Sequence, residues 1–252
     1  MSPDAEHGPP AVAFFSEDSV FGSVAGDLLT TSREMACRFA AGATMWCTAP
    51  ELPWQAHRLA AEFSNSVVGH KRALPAVAVE GDDLVNTLRR LTSSGDLLVA
   101  IAGAEDEAVR GAARRATAWG VRSIWIGRGR RPPPGAADHV LWLGDELAAV
   151  APDDGALLVG HRLWELTHEC LERSGQVGQE VAGVDAACTD EVCITCSDEG
   201  RLAEVVSAGP GYQARVRTAA GMELIDTALI GTPDPGDLVL VHAGFAISLI
   251  DD

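Results

Sequence analysis

The sequence predicts an α/β protein in two parts: a doubly wound parallel sheet, then a small β-barrel of the OB-like kind. Three observations carry this. Between residues 43 and 144 the apolar runs, such as LLVAIAG and SIWIG, are continuous rather than alternating, which is the pattern of strands covered on both faces. The stretches between them repeat apolar residues every three or four positions, so strand and helix alternate as in crossover units. From residue 199 the pattern changes to short strands separated by GPGY and TPDPGD, which reads as a barrel.

Taken in order, residues 1–14 are expected to be disordered, and 17–41 read as the first helix. ATMWCT (43–48) is a buried strand, and PWQAHRLAAEFSNSV is a helix with Pro53 suited to its first turn. PAVAVE (75–80), GDLLVAIAG (95–103), VRSIWIG (121–127) and HVLWLG (139–144) follow as strands. The helices DDLVNTLRRLTSS and EDEAVRGAARRATAWG separate the first three of them. A last helix spans about 154–173, closing a domain over 15–173. Residues 174–190 are Gly- and Ala-rich without helical spacing and read as a linker. The barrel occupies 191–252, with GRLAEVVSAG, QARVRTAAG, MELIDTALIG and DLVLVHAGFAISLI as its strands.

The chain carries 36 acidic and 19 basic residues, a net charge of −17. That argues against nucleic acid or an anionic membrane as partner, because phosphates would be repelled. Residues 185–252 hold 12 acids and 3 bases. MSPDAEHGPP lacks the basic and apolar regions of a secretory signal. The apolar runs fall well short of the roughly 20 residues of a membrane span. A cytoplasmic protein is expected, whose thiols stay reduced and serve metal binding or catalysis rather than disulfides.

Three such thiols, Cys188, Cys193 and Cys196, are spaced C-x4-C-x2-C. The spacing matches three ligands of a plant-type iron–sulfur site, but no fourth cysteine follows Cys196. A zinc site completed by His242 or His168 is a second option. A redox C-x-x-C belongs at a helix start, whereas this one precedes a β segment. A transient metal-ligand role is the third option, and composition alone does not choose.

GDLVLVHAGFAISLIDD (236–252) resembles the ending of HypC/HupF proteins, the small chaperones that mature nickel–iron hydrogenases. Gly236, Asp237, Val241, His242, Gly244, Phe245 and Ala246 carry the likeness, with ALIGTPDPGD as the preceding turn and GRLAEVV and ARVRTAAGMELI as earlier barrel strands. The resemblance implies a role in assembling the iron centre of the hydrogenase large subunit. It implies a HypD-type partner, the large-subunit precursor as client, and iron bearing cyanide and carbon monoxide ligands held by a cysteine. Counting back from Gly200, Cys196 is nearest to the family's cysteine and Cys193 second. The family's thiol directly follows the initiator Met, whereas here it is internal, and Ser-Asp-Glu-Gly stands where the family has Pro-Gly. His242, Gly244, Phe245 and Ala246 are then the expected partner-binding residues.

Residues 15–173 resemble the SIS domain of phosphoheptose isomerases, through GDLLVAIAGAEDEAVRGAARRATAWGVRSIWIG, AHRLAAEFSNSVVGHKRALPAVAVEGDD and GALLVGHRLWELTHECLE. The family's phosphate loop is rich in serine and threonine, but the matching stretch here is AGAEDEA, where Glu105 and Asp106 would repel a phosphate. Ala61 falls at the family's catalytic acid, with His57 and Glu62 close in register, and His161 matches a non-catalytic position of the closing helix. The resemblance thus implies a scaffold without isomerase chemistry, used for self-association or docking. Two alternatives stand beside it. One is an SIS protein that still isomerises or binds a sugar phosphate, with a regulatory barrel; the other is a zinc-stabilised interaction module.

Overall fold

The computed structural model describes residues 21, 24–65, 71–144, 154–177 and 200–250. The first domain runs α1 (Ala25–Ala40), β1 (Met45–Thr48), α2 (Pro53–Ser64), β2 (Ala76–Ala78), α3 (Leu84–Leu91), β3 (Leu97–Ile101), α4 (Glu107–Trp119), β4 (Arg122–Arg128), β5 (His139–Leu143) and α5 (Gly155–Val177). The strands form one sheet in the order β2-β1-β3-β4-β5, all pairs parallel. The predicted doubly wound sheet is present. The first helix starts at Ala25 rather than 17, and the closing helix extends to Val177.

The continuous apolar runs are explained by two cores. Leu97, Val99 and Ile101 of β3 face a cluster with Phe39 of α1, Phe63 of α2 and Leu163 of α5. Leu98 and Ala100, of opposite parity, face α3 and α4 through Leu88, Val109 and Trp119. Each strand position is therefore apolar whichever face it serves. Local signals set the helix ends. Pro53 opens α2, and the Asp106 carboxylate accepts a hydrogen bond from the Val109 amide to cap α4. Gly120 closes α4 in the left-handed conformation at φ 73°.

An ionic cluster ties α1 to the start of β4 and β5. The Glu34 carboxylate lies 2.7 Å from His139 Nε2 and 2.7 Å from Arg122 Nε. The hydrogen bond from His139, then the charges of Arg122, His139 and Arg38, hold the Glu34 carboxyl below the usual range in spite of partial burial. A depressed carboxylate adds stability above its unfolded value, about 4.3, and that stability is lost as pH falls through the lower folded value. Glu34→Gln is therefore expected to be less stable than the parent at neutral pH. The gap should close progressively below about pH 4, as read from urea midpoints between pH 7 and 3.

The second domain is a closed barrel in the order β10-β8-β7-β6-β9. Its strands are β6 (Arg201–Ala208), β7 (Gln213–Thr218), β8 (Gly221–Asp226), β9 (Leu238–His242) and β10 (Phe245–Ile250). Its interior is small: Ala203, Val205, Ala214, Val216, Ile225, Val239, Val241 and Ala246. One expectation is corrected here. DLVLVHAGFAISLI is not a single strand; it folds back as a hairpin with His242 paired to Phe245. Ala243 and Gly244 sit at φ 48° and 85°, the left-handed pair of a two-residue turn whose twist matches the flanking strands.

The barrel packs on the α3–α4 face of the sheet domain. Leu238 is buried in the same cluster as Leu88 and Trp119, with Leu202 and Ile250 partly buried against it. The α3–α4 layer thus lies between sheet and barrel. At its centre the fully buried Glu204 of β6 accepts two hydrogen bonds from Arg89, at 2.6 and 3.0 Å, and one from Trp119 Nε1 at 2.7 Å. Arg115 Nε lies 3.4 Å from the same carboxylate. Arg217, opposite Glu204 on β7, donates to the carbonyls of Arg89 and Thr92 and covers the Trp119 ring.

Candidate functional site

Two places on this frame are arranged for function. The first is the crevice at the carboxyl ends of the strands, where the order reverses between β1 and β3 and where open α/β sheets bind ligands. A cavity of about 210 Å³ lies there, lined by residues that include Glu51, Gln55, Gly103, Gly127 and Arg128. At the start of α4, whose amides would otherwise suit an anion, the Val109 amide donates to the Asp106 carboxylate. Glu105 lies 3.7 Å from Arg110 and 3.5 Å from Arg130.

The residues near the expected isomerase register form a separate surface group. His57 pairs with Glu80 of the loop after β2. Glu62 of α2 reaches His161 of α5, whose other ring nitrogen lies 3.4 Å from Glu165. Sequence alone set Glu62 one position from the family's acid; only the packing of α2 on α5 brings it to His161. The 161/165 spacing was the available signal, being one helical turn. His168 is buried, its two ring nitrogens each 2.9 Å from a carbonyl oxygen, of Trp164 and of Arg72. That commits it to the core and leaves His242 as the histidine for a mixed zinc site.

The second place is the barrel hairpin. The pairing of Arg201 with Val241 sets Gly200 beside His242, where the chain enters the barrel. A Cβ on Gly200 would lie 2.9 Å from Cδ1 of Leu240, so a larger residue here requires that side chain to shift. His242 is half-buried, Phe245 is 49% exposed, and Ala246 is buried in the barrel interior. Gly244 supplies the turn. Of the expected partner-binding residues, Phe245 and Gly244 are therefore exposed, while Ala246 faces the barrel interior.

Cys188, Cys193 and Cys196 lie outside the described residues. Cys47 is buried in β1, and burial pushes its thiol up. Cys37 and Cys170 are half-buried on α1 and α5. Among the described residues no group of three or more His, Cys, Asp or Glu is arranged to hold a metal ion, and no helix is long and apolar enough to cross a membrane.

A barrel entered at a glycine and ended by the Val-His-Ala-Gly-Phe-Ala hairpin matches one family model, HupF/HypC, over residues 200–252. Residues 200–252 form a HupF/HypC family domain. The barrel that packs on α3 and α4 is this domain, and the hairpin is its final element. Over rather more than half of its length the chain is also similar to solved structures. A phosphoheptose isomerase from Francisella tularensis is 15% identical with a TM-score of 0.48, over 57% of this chain and 86% of that one. The phosphoheptose isomerase of Neisseria gonorrhoeae is 16% identical with a TM-score of 0.46, over 60% of this chain and 87% of that one. No curated protein matches the chain significantly.

Proposed function

We propose that this chain is a maturation chaperone for a nickel–iron hydrogenase. In this reading the HupF/HypC domain engages a HypD-type protein and the large-subunit precursor. Its cargo is iron bearing cyanide and carbon monoxide, held by Cys196 or, second, Cys193. The sheet domain acts as a scaffold for docking or self-association and does no chemistry of its own. The observation that carries the reading is the family match over residues 200–252.

The physical support lies around the entry to the barrel. A thiolate is a soft donor suited to low-spin iron with strong-field ligands. Four peptide units separate Cys196 from Gly200, a reach of about 13 Å at full extension. In sequence the thiol therefore lies four residues ahead of the barrel entry, where Gly200 stands beside His242. A soft ligand close in sequence to this entry, beside the proposed partner-binding hairpin, suits a metal that has to be handed on.

The test is anaerobic co-purification with a HypD-type partner, followed by infrared spectroscopy in the cyanide and carbonyl stretch region. Bands that vanish in Cys196→Ala or Cys193→Ala are the expected result. A stable complex without bands, or bands unaffected by either substitution, would overturn the iron-carrying role and return the thiols to zinc. A second reading is favoured by the cavity at the strand ends: binding of a sugar phosphate there. A thermal shift with sugar phosphates in the parent, absent with inorganic phosphate, would support it against the capped α4 terminus.

A further inference from the structure

The barrel is closed by a single bridge. β10 pairs with β8 only through Phe245 and Asp226, whereas its ladder with β9 runs from Phe245 to Ile250. Beyond Phe245, β10 therefore has a ladder partner on one side only among the described residues. An open strand edge offers its amides and carbonyls to any extended chain that can lie beside it. Sheet proteins commonly blunt such an edge with lysine or proline. Here the exposed side chains along it are apolar: Phe245 is 49% exposed, Ile247 44% and Leu249 43%. Leu229, in the turn that follows Asp226, is 70% exposed. Exposed apolar residues grouped in this way mark an interaction surface.

Charge identifies the kind of partner. Asp226 stands at the start of the edge, opposite Phe245. Asp237 precedes Leu238, which pairs with Ile250 at its end. Among the described residues neither Asp226 nor Asp237 has an ion-pair partner; their carboxylates accept from the backbone amides of Ala228 and Asp234. The barrel's bases are engaged or elsewhere. Arg201 pairs with Glu223, Arg217 points into the α3–α4 layer, and Arg215 stands on β7, on the far side of β8. The carboxylates at this edge, within a chain of net charge −17, disfavour the same edge of a second copy and an anionic bilayer here.

We propose that the free edge of β10 is a docking site for an extended protein segment that alternates apolar and basic side chains, added to the barrel as a further strand. Main-chain hydrogen bonds to β10 would supply affinity. The apolar residues at 245, 247 and 249 and the flanking carboxylates would supply selection. The barrel face packed on α3 and α4 is already occupied, so the partner approaches from the β8–β10 side.

The test uses the full chain and two fluorescent nine-residue peptides with valine at alternate positions. One carries lysine and the other glutamate at the intervening positions. The lysine peptide is expected to bind, to slow amide hydrogen exchange within 246–250, and to bind more weakly as salt is raised. Ile247→Lys and Leu249→Lys, at exposed positions, are each expected to weaken it by about tenfold, and Asp226→Asn by a smaller factor while keeping the turn. Any of four results would overturn the proposal: no binding of the lysine peptide at millimolar concentration, equal binding of the glutamate peptide, affinity unchanged by both lysine substitutions, or exchange protection elsewhere than β10. Self-association of the parent that Ile247→Lys abolishes would assign the edge to a second copy and overturn it too. Iron plays no part in this test, so its outcome is separate from that of the infrared experiment.

Discussion

Glu204→Ala is expected to destabilise the protein by about 3 kcal/mol or more and to uncouple the barrel from the sheet domain. Glu204 is fully buried and receives three short hydrogen bonds from Arg89 and Trp119. Removing it strands the Arg89 and Arg115 guanidinium groups, with side chains 29% and 14% exposed, against an apolar layer. Arg217 is already held below its ordinary value, first by burial and against the favourable charge of Glu204. Losing that carboxylate would make its position worse. Calorimetry should show one transition in the parent and two in the variant, with faster proteolysis between the domains.

The same site offers an internal control. An uncompensated buried charge is more harmful than the loss of the pair. The double substitution Glu204→Met with Arg89→Met is therefore expected to be milder than Glu204→Ala alone. If Glu204→Ala instead leaves a single transition at an unchanged temperature, packing of Leu238, Leu202 and Ile250 holds the domains together and the carboxylate is incidental.

The second large effect is expected at Gly127, which lines the cavity at the strand ends. A Cβ there would lie 2.4 Å from the Ala102 carbonyl oxygen and 2.4 Å from the Trp142 ring. Neither neighbour can give way. The Ala102 carbonyl accepts from Trp125 Nε1 at 3.1 Å, and Trp142 Nε1 donates to the Gly129 carbonyl at 2.8 Å. The two indoles also meet edge to face, with centroids 6.4 Å apart. Gly127→Ala is expected to cost about 3 kcal/mol, the upper end for overpacking. Gly103 lines the same cavity, but its Cβ would meet nothing within 4 Å, so Gly103→Ala should be close to neutral. Denaturant midpoints of the two variants check this, and equal midpoints would refute it.

Much of the fold was legible because its causes are local. LLVAI and SIWIG read as strands covered on both faces, and they are buried along their length. Pro53 and Asp106 announced the starts of α2 and α4 because each acts within one turn. The barrel ending was legible as a family signature, although the reason for its Ala-Gly was not. A turn with two positive φ values and a strand interruption read alike until the pairing of His242 with Phe245 is known. The strand pattern continues across that turn, so the sequence of the hairpin reads as one strand.

By itself, then, the sequence determined the two-part architecture, the acidic surface, and the HupF/HypC character of residues 200–252. These rest on periodicity, composition and short motifs, which act between neighbours in the chain. Tertiary structure alone decided that Glu204 meets Arg89, 115 positions away, that Glu62 meets His161, and that β10 is left, among the described residues, with an open edge. A carboxylate in a strand reads as a solvated residue whatever lies opposite, because its partner is chosen by the packing of one layer on another. For the same reason, which face of the barrel remains free for a partner follows from where the barrel docks, and no local pattern records that.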